Sequence, residues 1–267
     1  MLKYKCGIIK KCKRYHYTGG INLEKKKLNW EKIIWWFVFI SFVLSAGYVI
    51  IMIIIAPPQG TSSAPDFRSK SDYVLMLVQC ILGVFALMLP GLIEQRVHLA
   101  IPSRMVMLYA LFLYGAIYLG EVRSFYYSIP YWDSILHFFS GGMLSTLGFS
   151  VIVILNKTDK IPVNLSPIFV SVFAFCFAVT LGAVWEIYEY SLDGLLGLNM
   201  QKFALRDGTQ LIGHAALSDT MEDVIIDCIS AFAISAIGYM SYKYKKGWIE
   251  RFLFIINSKS NNTNIPG

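Results

Sequence analysis

The sequence predicts an all-α polytopic membrane protein: a bundle of about six transmembrane helices with both termini cytoplasmic. Three observations carry that prediction. Of 267 residues, 56% are hydrophobic and only 15% are charged, which excludes an ordinary soluble domain. The apolar residues gather into separate runs of about 17–25 residues, each able to cross a hydrocarbon core about 30 Å thick as a helix. Lys and Arg concentrate on alternate connections, which orients the bundle.

The first run, Ile33 to Ala56, follows a basic leader at 1–30. It is too long for a signal-peptide core and lacks a small-residue cleavage site, so it is expected to remain as an anchor. Cys6, Cys12 and His16 in the leader match no strong zinc spacing. The second and third runs are Tyr73 to Ile93 and Met105 to Phe125, the latter closing on Glu121 and Arg123. The fourth, Trp132 to Leu155, opens on Asp133 and His137. The fifth, Ile168 to Tyr190, closes on Glu186 and Glu189, and the sixth, Met221 to Tyr242, follows Asp219 and carries Asp223 and Asp227. Cys80, Cys176 and Cys228 lie inside apolar runs and read as small buried hydrophobes, so no disulfide is inferred.

Lys and Arg crowd the leader from Lys3 to Lys32. They recur on the same side at Arg96, Arg104, Lys157, Lys160, Lys243, Lys245, Lys246, Arg251 and Lys259. The other side carries only Arg68, Lys70, Arg123, Lys202 and Arg206. Loops rich in these residues resist export, so the first side is assigned to the cytoplasm. The chain then divides into the cytoplasmic leader at 1–30, a six-span membrane domain at 31–246, and a final segment at 247–267. In that last segment Trp248 to Ile256 reads as an interfacial amphipathic helix, with Trp248, Phe252, Leu253 and Ile256 apolar, ahead of a polar tail expected to be disordered.

An ionisable group at membrane depth costs about 2.5 kcal/mol or more, and such groups mark functional sites. With this topology the acids and His137 all fall in the outer half of the bundle. Spacings of three and four place Asp133 with His137, Glu186 with Glu189, and Asp219 with Asp223 and Asp227 on single helix faces. Asp219 with Glu222 also matches a capping box, so Asp219 is expected to cap the sixth helix. Glu186 and Glu189 end a helix, where the dipole opposes negative charge, and no capping account covers them.

Around these positions, Gly141, Gly142, Ser145, Gly148, Gly182 and Ala183 allow helices to approach closely. Trp132, Trp185, Tyr188 and Tyr190 read as interfacial anchors. The connection from Asp193 to Ser218, rich in glycine, is long enough to form a lid and brings a further imidazole, His214.

Carboxylate oxygen combined with imidazole suits Zn, Mn or Fe, and a divalent cation would offset repulsion among so many acids. Asp133, His137, Asp223 and Asp227 are the candidate ligands, Glu186 and Glu189 the candidate catalytic bases, and Arg123 and Arg206 the candidates for binding an anionic headgroup. The chemistry expected is metal-dependent hydrolysis of a lipid or envelope ester or phosphoester. One alternative is a proton- or cation-coupled transporter, against which stand apolar inner halves and no inverted repeat. The other is a non-catalytic envelope protein with a structural ion-pair network. No serine-nucleophile signature or phosphate-cradling glycine loop suggests a different enzyme class. The expected partners are the lipid bilayer and a lipid or envelope substrate, with no nucleic acid.

Trp132-Asp133-x3-His137, Trp185-Glu186-x2-Glu189-Tyr190-x2-Asp193 and Asp219-Thr220-Met221-x-Asp223-x3-Asp227 resemble the YjdF-like family of uncharacterised bacterial inner-membrane proteins. The resemblance covers most of the six-span core and implies a multi-pass location in a bacterial cytoplasmic membrane, with no established activity. More weakly, Asp133-x3-His137-Phe138 is similar to VanZ-like proteins, a group associated with glycopeptide resistance. Their second motif has Glu followed three residues later by Gln, where this chain has Glu189.

Overall fold

The computed structural model describes residues 29–55, 70–97, 99–157, 165–205, 209–249 and 251–256. Among these, 6 helices are long and apolar enough to cross a membrane, in agreement with the run lengths. α1 (Trp30–Ile55) and α2 (Lys70–Val97) are followed by α3 (Ser103–Leu113), which continues directly into a π-helix (Tyr114–Val122). A short α4 (Phe125–Ser128) leads to α5 (Trp132–Lys157), α6 (Pro167–Leu196) and α7 (His214–Tyr244). α5, α6 and α7 pack on one another, α1 pairs with α2, and α3 joins the two groups through α1 and α5.

Three apolar clusters among the described residues lock this arrangement, the smallest being Val49 of α1 with Tyr73 and Met76 of α2. Val38 and Phe42 of α1, Leu87 of α2, and Ala110 and Leu113 of α3 form the second. Phe149 and Ile152 of α5, Val170 and Ala174 of α6, and Ile249 and Leu253 beyond α7 form the third. Leu44, Ile51, Phe85, Ile187 and Phe232 face outward and exposed, as a hydrocarbon surrounding requires. Between α5 and α7 the interior is lined by hydroxyls: Ser145 and Ser235 lie 3.0 Å apart, and Thr146 and Ser150 each bond a carbonyl one turn earlier.

Helix boundaries follow local chemistry. The Ser166 hydroxyl accepts the Phe169 N–H at 3.3 Å and Pro167 opens α6. α6 then runs past the expected end at Tyr190 to Leu196, because the first residue to take the left-handed conformation is Gly197, with φ 65°. α7 likewise begins at His214 rather than Met221, directly after Gly213. Asp219 is consequently inside the helix and Glu222 is exposed, so the expected capping box does not form.

The third span ends in π geometry, with the Arg123 N–H donating to Tyr118 O at 2.9 Å. Such turns are rare and concentrate at functional sites. Trp248 to Ile256 does not form the expected interfacial helix. The Phe252 N–H closes a turn on Ile249 O at 2.9 Å, and β2 (Ile255–Ile256) pairs antiparallel with β1 (Leu99–Ala100). Burial of Ile249 and Leu253 against α5 and α6 draws the segment into the bundle instead of onto its surface. The leader with Cys6, Cys12 and His16, and the tail from 257, lie outside the described residues.

Candidate functional site

α5 brings Asp133 and His137 to one face, α6 brings Glu186, Glu189 and Asp193, and α7 brings Asp219, Asp223 and Asp227. Because these helices pack mutually, their polar faces converge. Each set keeps helical spacing, so no unusual backbone is needed to gather them.

His137 stands at the centre and is 7% exposed. Its Nδ1 lies 3.4 Å from Asp227 Oδ2. On the other side of the ring, Nε2 lies 3.6 Å from Asp223 Oδ2, 3.9 Å from Glu186 Oε1 and 4.0 Å from Asp133 Oδ1. Donor atoms of Asp133, His137 and Asp223 all fall within 4.8 Å of one another. Asp227 is held by α5 as well, through a 3.4 Å bond from the Ser140 hydroxyl.

Glycine creates the niche for Asp227. A Cβ on Gly182 would overlap Asp227 Oδ2, and one on Gly141 would sit 3.0 Å from the Asp227 carbonyl oxygen. These glycines bear out close helix approach, and they place it against a carboxylate rather than against apolar side chains.

The connection between α6 and α7 enters the site. Asp193, in register one turn beyond Glu189, accepts the N–H groups of Met200 at 2.7 Å and Gln201 at 3.0 Å. Gln201 Nε2 donates to Thr220 Oγ1 at 2.9 Å. These anchors deliver Lys202, whose ammonium pairs with Asp133 Oδ2 and with Asp219 Oδ1, the latter at 2.8 Å. Burial works against the charge on Lys202, but Asp133 and Asp219 outweigh it and hold its pKa above the ordinary lysine value. Asp219 thus belongs to the site through Lys202.

Other predicted residues fall elsewhere. Arg123 is exposed at the end of the π-helix and, among the described residues, forms no ion pair with the cluster. Arg206 lies outside the described residues. His214 is exposed at the first position of α7. Trp185, expected only as an anchor, donates its indole N–H to Glu189 Oε1 at 2.9 Å. Gln201 and Ser140 escaped the sequence reading, and Lys202 entered it only as an outer-side charge, not as a site residue. Asp193 stood in a motif whose helical register already placed it beside Glu186 and Glu189.

The cluster's negative field extends to α4. Tyr126 there is pushed well above the ordinary phenol value, first by burial and then by Asp133, Glu121, Glu189 and Asp223. Inside the cluster, both oxygens of Glu186, Asp223 Oδ2 and Asp219 Oδ2 are buried without a hydrogen-bond partner among the described residues. Buried carboxylates left this way are costly, so the arrangement calls for protons or a cation.

A family model described as "Predicted membrane protein (DUF2238)" matches residues 40–244, a range that includes every residue of the cluster. An uncharacterized protein from Thermotoga maritima is 26% identical over 164 residues, covering 61% of this chain and 76% of the relative. Both are consistent with the YjdF-like resemblance without carrying that name. No solved structure matches.

Proposed function

We propose that this chain, which belongs to the DUF2238 family of predicted membrane proteins, is a metal-dependent hydrolase embedded in a bacterial cytoplasmic membrane. The observation that carries this reading is the two-sided environment of His137. Asp227 occupies the Nδ1 side, while Nε2 faces Asp223, Glu186 and Asp133, two of which have buried oxygens with no hydrogen bond. A metal-binding histidine usually has a carboxylate behind its imidazole, which fixes the tautomer for a ligand in front.

In this scheme Asp133, His137, Glu186 and Asp223 would hold a Zn, Mn or Fe ion, and Asp227 would orient the ring. A divalent cation there supplies polarisation of an ester or phosphoester oxygen and activation of water. Glu189, fixed by the Trp185 indole, is the residue assigned to accept the proton of the attacking water. Lys202 lies beside the partly exposed Asp133 and Asp219, and it takes the headgroup-binding role that the sequence assigned to Arg123 and Arg206. The substrate class is a lipid or envelope ester or phosphoester reached from the outer leaflet, with both termini cytoplasmic.

Detergent-purified protein prepared without chelator is expected to retain stoichiometric metal by elemental analysis, and His137→Ala or Asp223→Asn to lose it. Metal-free protein with unchanged thermal stability at several pH values overturns the cation site. Metal-loaded protein that leaves extracted envelope lipids intact overturns hydrolysis alone. Glu189→Gln is expected to keep the metal and lose turnover.

A second reading, proton- or cation-coupled transport, draws support from hydroxyls at the α5–α7 interface: half-buried Ser140 beside Asp227, and buried Ser145 and Ser235 farther along it. It predicts ion-gradient-driven flux in liposomes that Asp227→Asn removes while the fold persists.

A further inference from the structure

Away from the acidic cluster, on the α3 side of the α5–α7 interface, lies a groove of about 370 Å³ formed by α3, α5, α7 and the segment after α7. Cavities of about 300–1,000 Å³ hold small ligands. Leu108, Phe139, Met143 and Ile237 supply much of its wall. Two hydroxyls reach it, and both are committed: Ser230 donates to Phe138 O, and Thr146 donates to Gly142 O at 3.0 Å. Apart from the Trp248 indole at its rim, the lining side chains are apolar or already bonded, which favours hydrocarbon.

The groove's position selects the source of that hydrocarbon. Its helices are membrane spans, and Phe138, Phe139 and Trp248 are exposed along its rim, so it opens sideways onto acyl chains. One end carries charge. There Met105 and Phe252 line the groove, and the Arg104 guanidinium lies over the Phe252 ring, 5.9 Å from its centroid, with the side chain exposed. Pairing of β1 with β2 brings the α2–α3 connection and the segment after α7 together, and the exposed Arg96 and Arg251 flank the paired strands in sequence. Arginine offers planar donors to phosphate, and Trp248 suits the headgroup level.

We propose that this groove binds one acyl chain of an anionic phospholipid whose phosphate rests against Arg104. The occupant commits to both features at once: the apolar wall takes the chain, and the basic end selects the headgroup.

The test exposes detergent-purified protein to mixed micelles containing equal phosphatidylglycerol and phosphatidylcholine, followed by native mass spectrometry. Wild type is expected to carry one phosphatidylglycerol in preference to phosphatidylcholine. Ala233→Trp, which fills the groove, is expected to lose the bound lipid, and Arg104→Gln to keep a lipid but lose the headgroup preference. Equal binding of the two lipids by wild type, no bound lipid, or unchanged retention in folded Ala233→Trp overturns the site. If Ala233→Trp does not fold, the surface change Arg104→Gln decides alone, and an unchanged preference there overturns the proposal.

Discussion

Asp227 on α7 approaches His137 on α5 from the Nδ1 side of the ring, Oδ2 to Nδ1 at 3.4 Å, across 90 residues of sequence. That leaves Nε2 turned toward Asp223, Glu186 and Asp133. Asp227→Asn preserves shape but removes the carboxylate to which the proposed function gives the role of orienting the ring. Metal affinity is expected to fall by about 10–100-fold, the usual loss when such an orienting partner is removed, while His137→Ala abolishes binding. Isothermal titration of stripped protein distinguishes the two, and equal affinity for wild type and Asp227→Asn excludes the orienting role.

Lys202 neutralises Asp133 and Asp219 together. Lys202→Met strands both acids and is expected to destabilise the protein by about 1.5–3 kcal/mol, the range for hydrogen bonds to charged groups. Because the folded pKa of Lys202 is raised above the ordinary 10.5, its stabilisation is complete below that value and is lost as pH rises through the folded pKa. Thermal melts in detergent should therefore show the wild type losing more stability than Lys202→Met when pH is taken above 10.5. Parallel loss in both proteins would assign the effect to other groups.

Gly182 leaves no room for a Cβ beside Asp227 Oδ2. Gly182→Ala is expected to cost about 1–3 kcal/mol through overpacking and to displace the carboxylate. Reduced thermal stability accompanied by reduced metal retention is the expected pair of results. A stable variant with full metal content shows that α6 can move away without cost to the site.

Asp193 ties Met200 and Gln201 to α6 and so sets the reach of Lys202. Asp193→Ala is expected to accelerate amide hydrogen exchange at Met200 and Gln201, read by mass spectrometry, while exchange within the middle of α6 stays slow. Unchanged protection would mean that the Asn199–Ala204 bonds, at 2.7 and 2.9 Å, hold the loop unaided.

The span lengths and the i, i+3 and i, i+4 acidic faces were legible because both depend on helix periodicity, a local property. Asp133, His137, Glu186, Asp223 and Asp227 could be selected in this way, since each is an ionisable residue in an apolar run. Boundaries were less legible. Ser191–Leu196 and His214–Thr220 are not apolar enough to read as span, yet both are helical, and that extension moved Asp219 from a cap into the site. Lys202 had no periodicity to mark it, because it sits in a connection with φ 47° and reaches the acids through loop bonds from Asp193.

By itself the sequence determined the all-α membrane class, the places where the chain crosses, and which helix faces carry charge, because hydrocarbon thickness and the helical repeat act on consecutive residues. Only the tertiary structure decided which faces meet, that Asp227 and Asp223 take opposite sides of one imidazole, that Lys202 pairs with Asp133 and Asp219, and that Ile249 and Leu253 pack inward. Those outcomes depend on helix-to-helix packing at positions such as Gly141 and Gly182, where residues far apart in sequence share space.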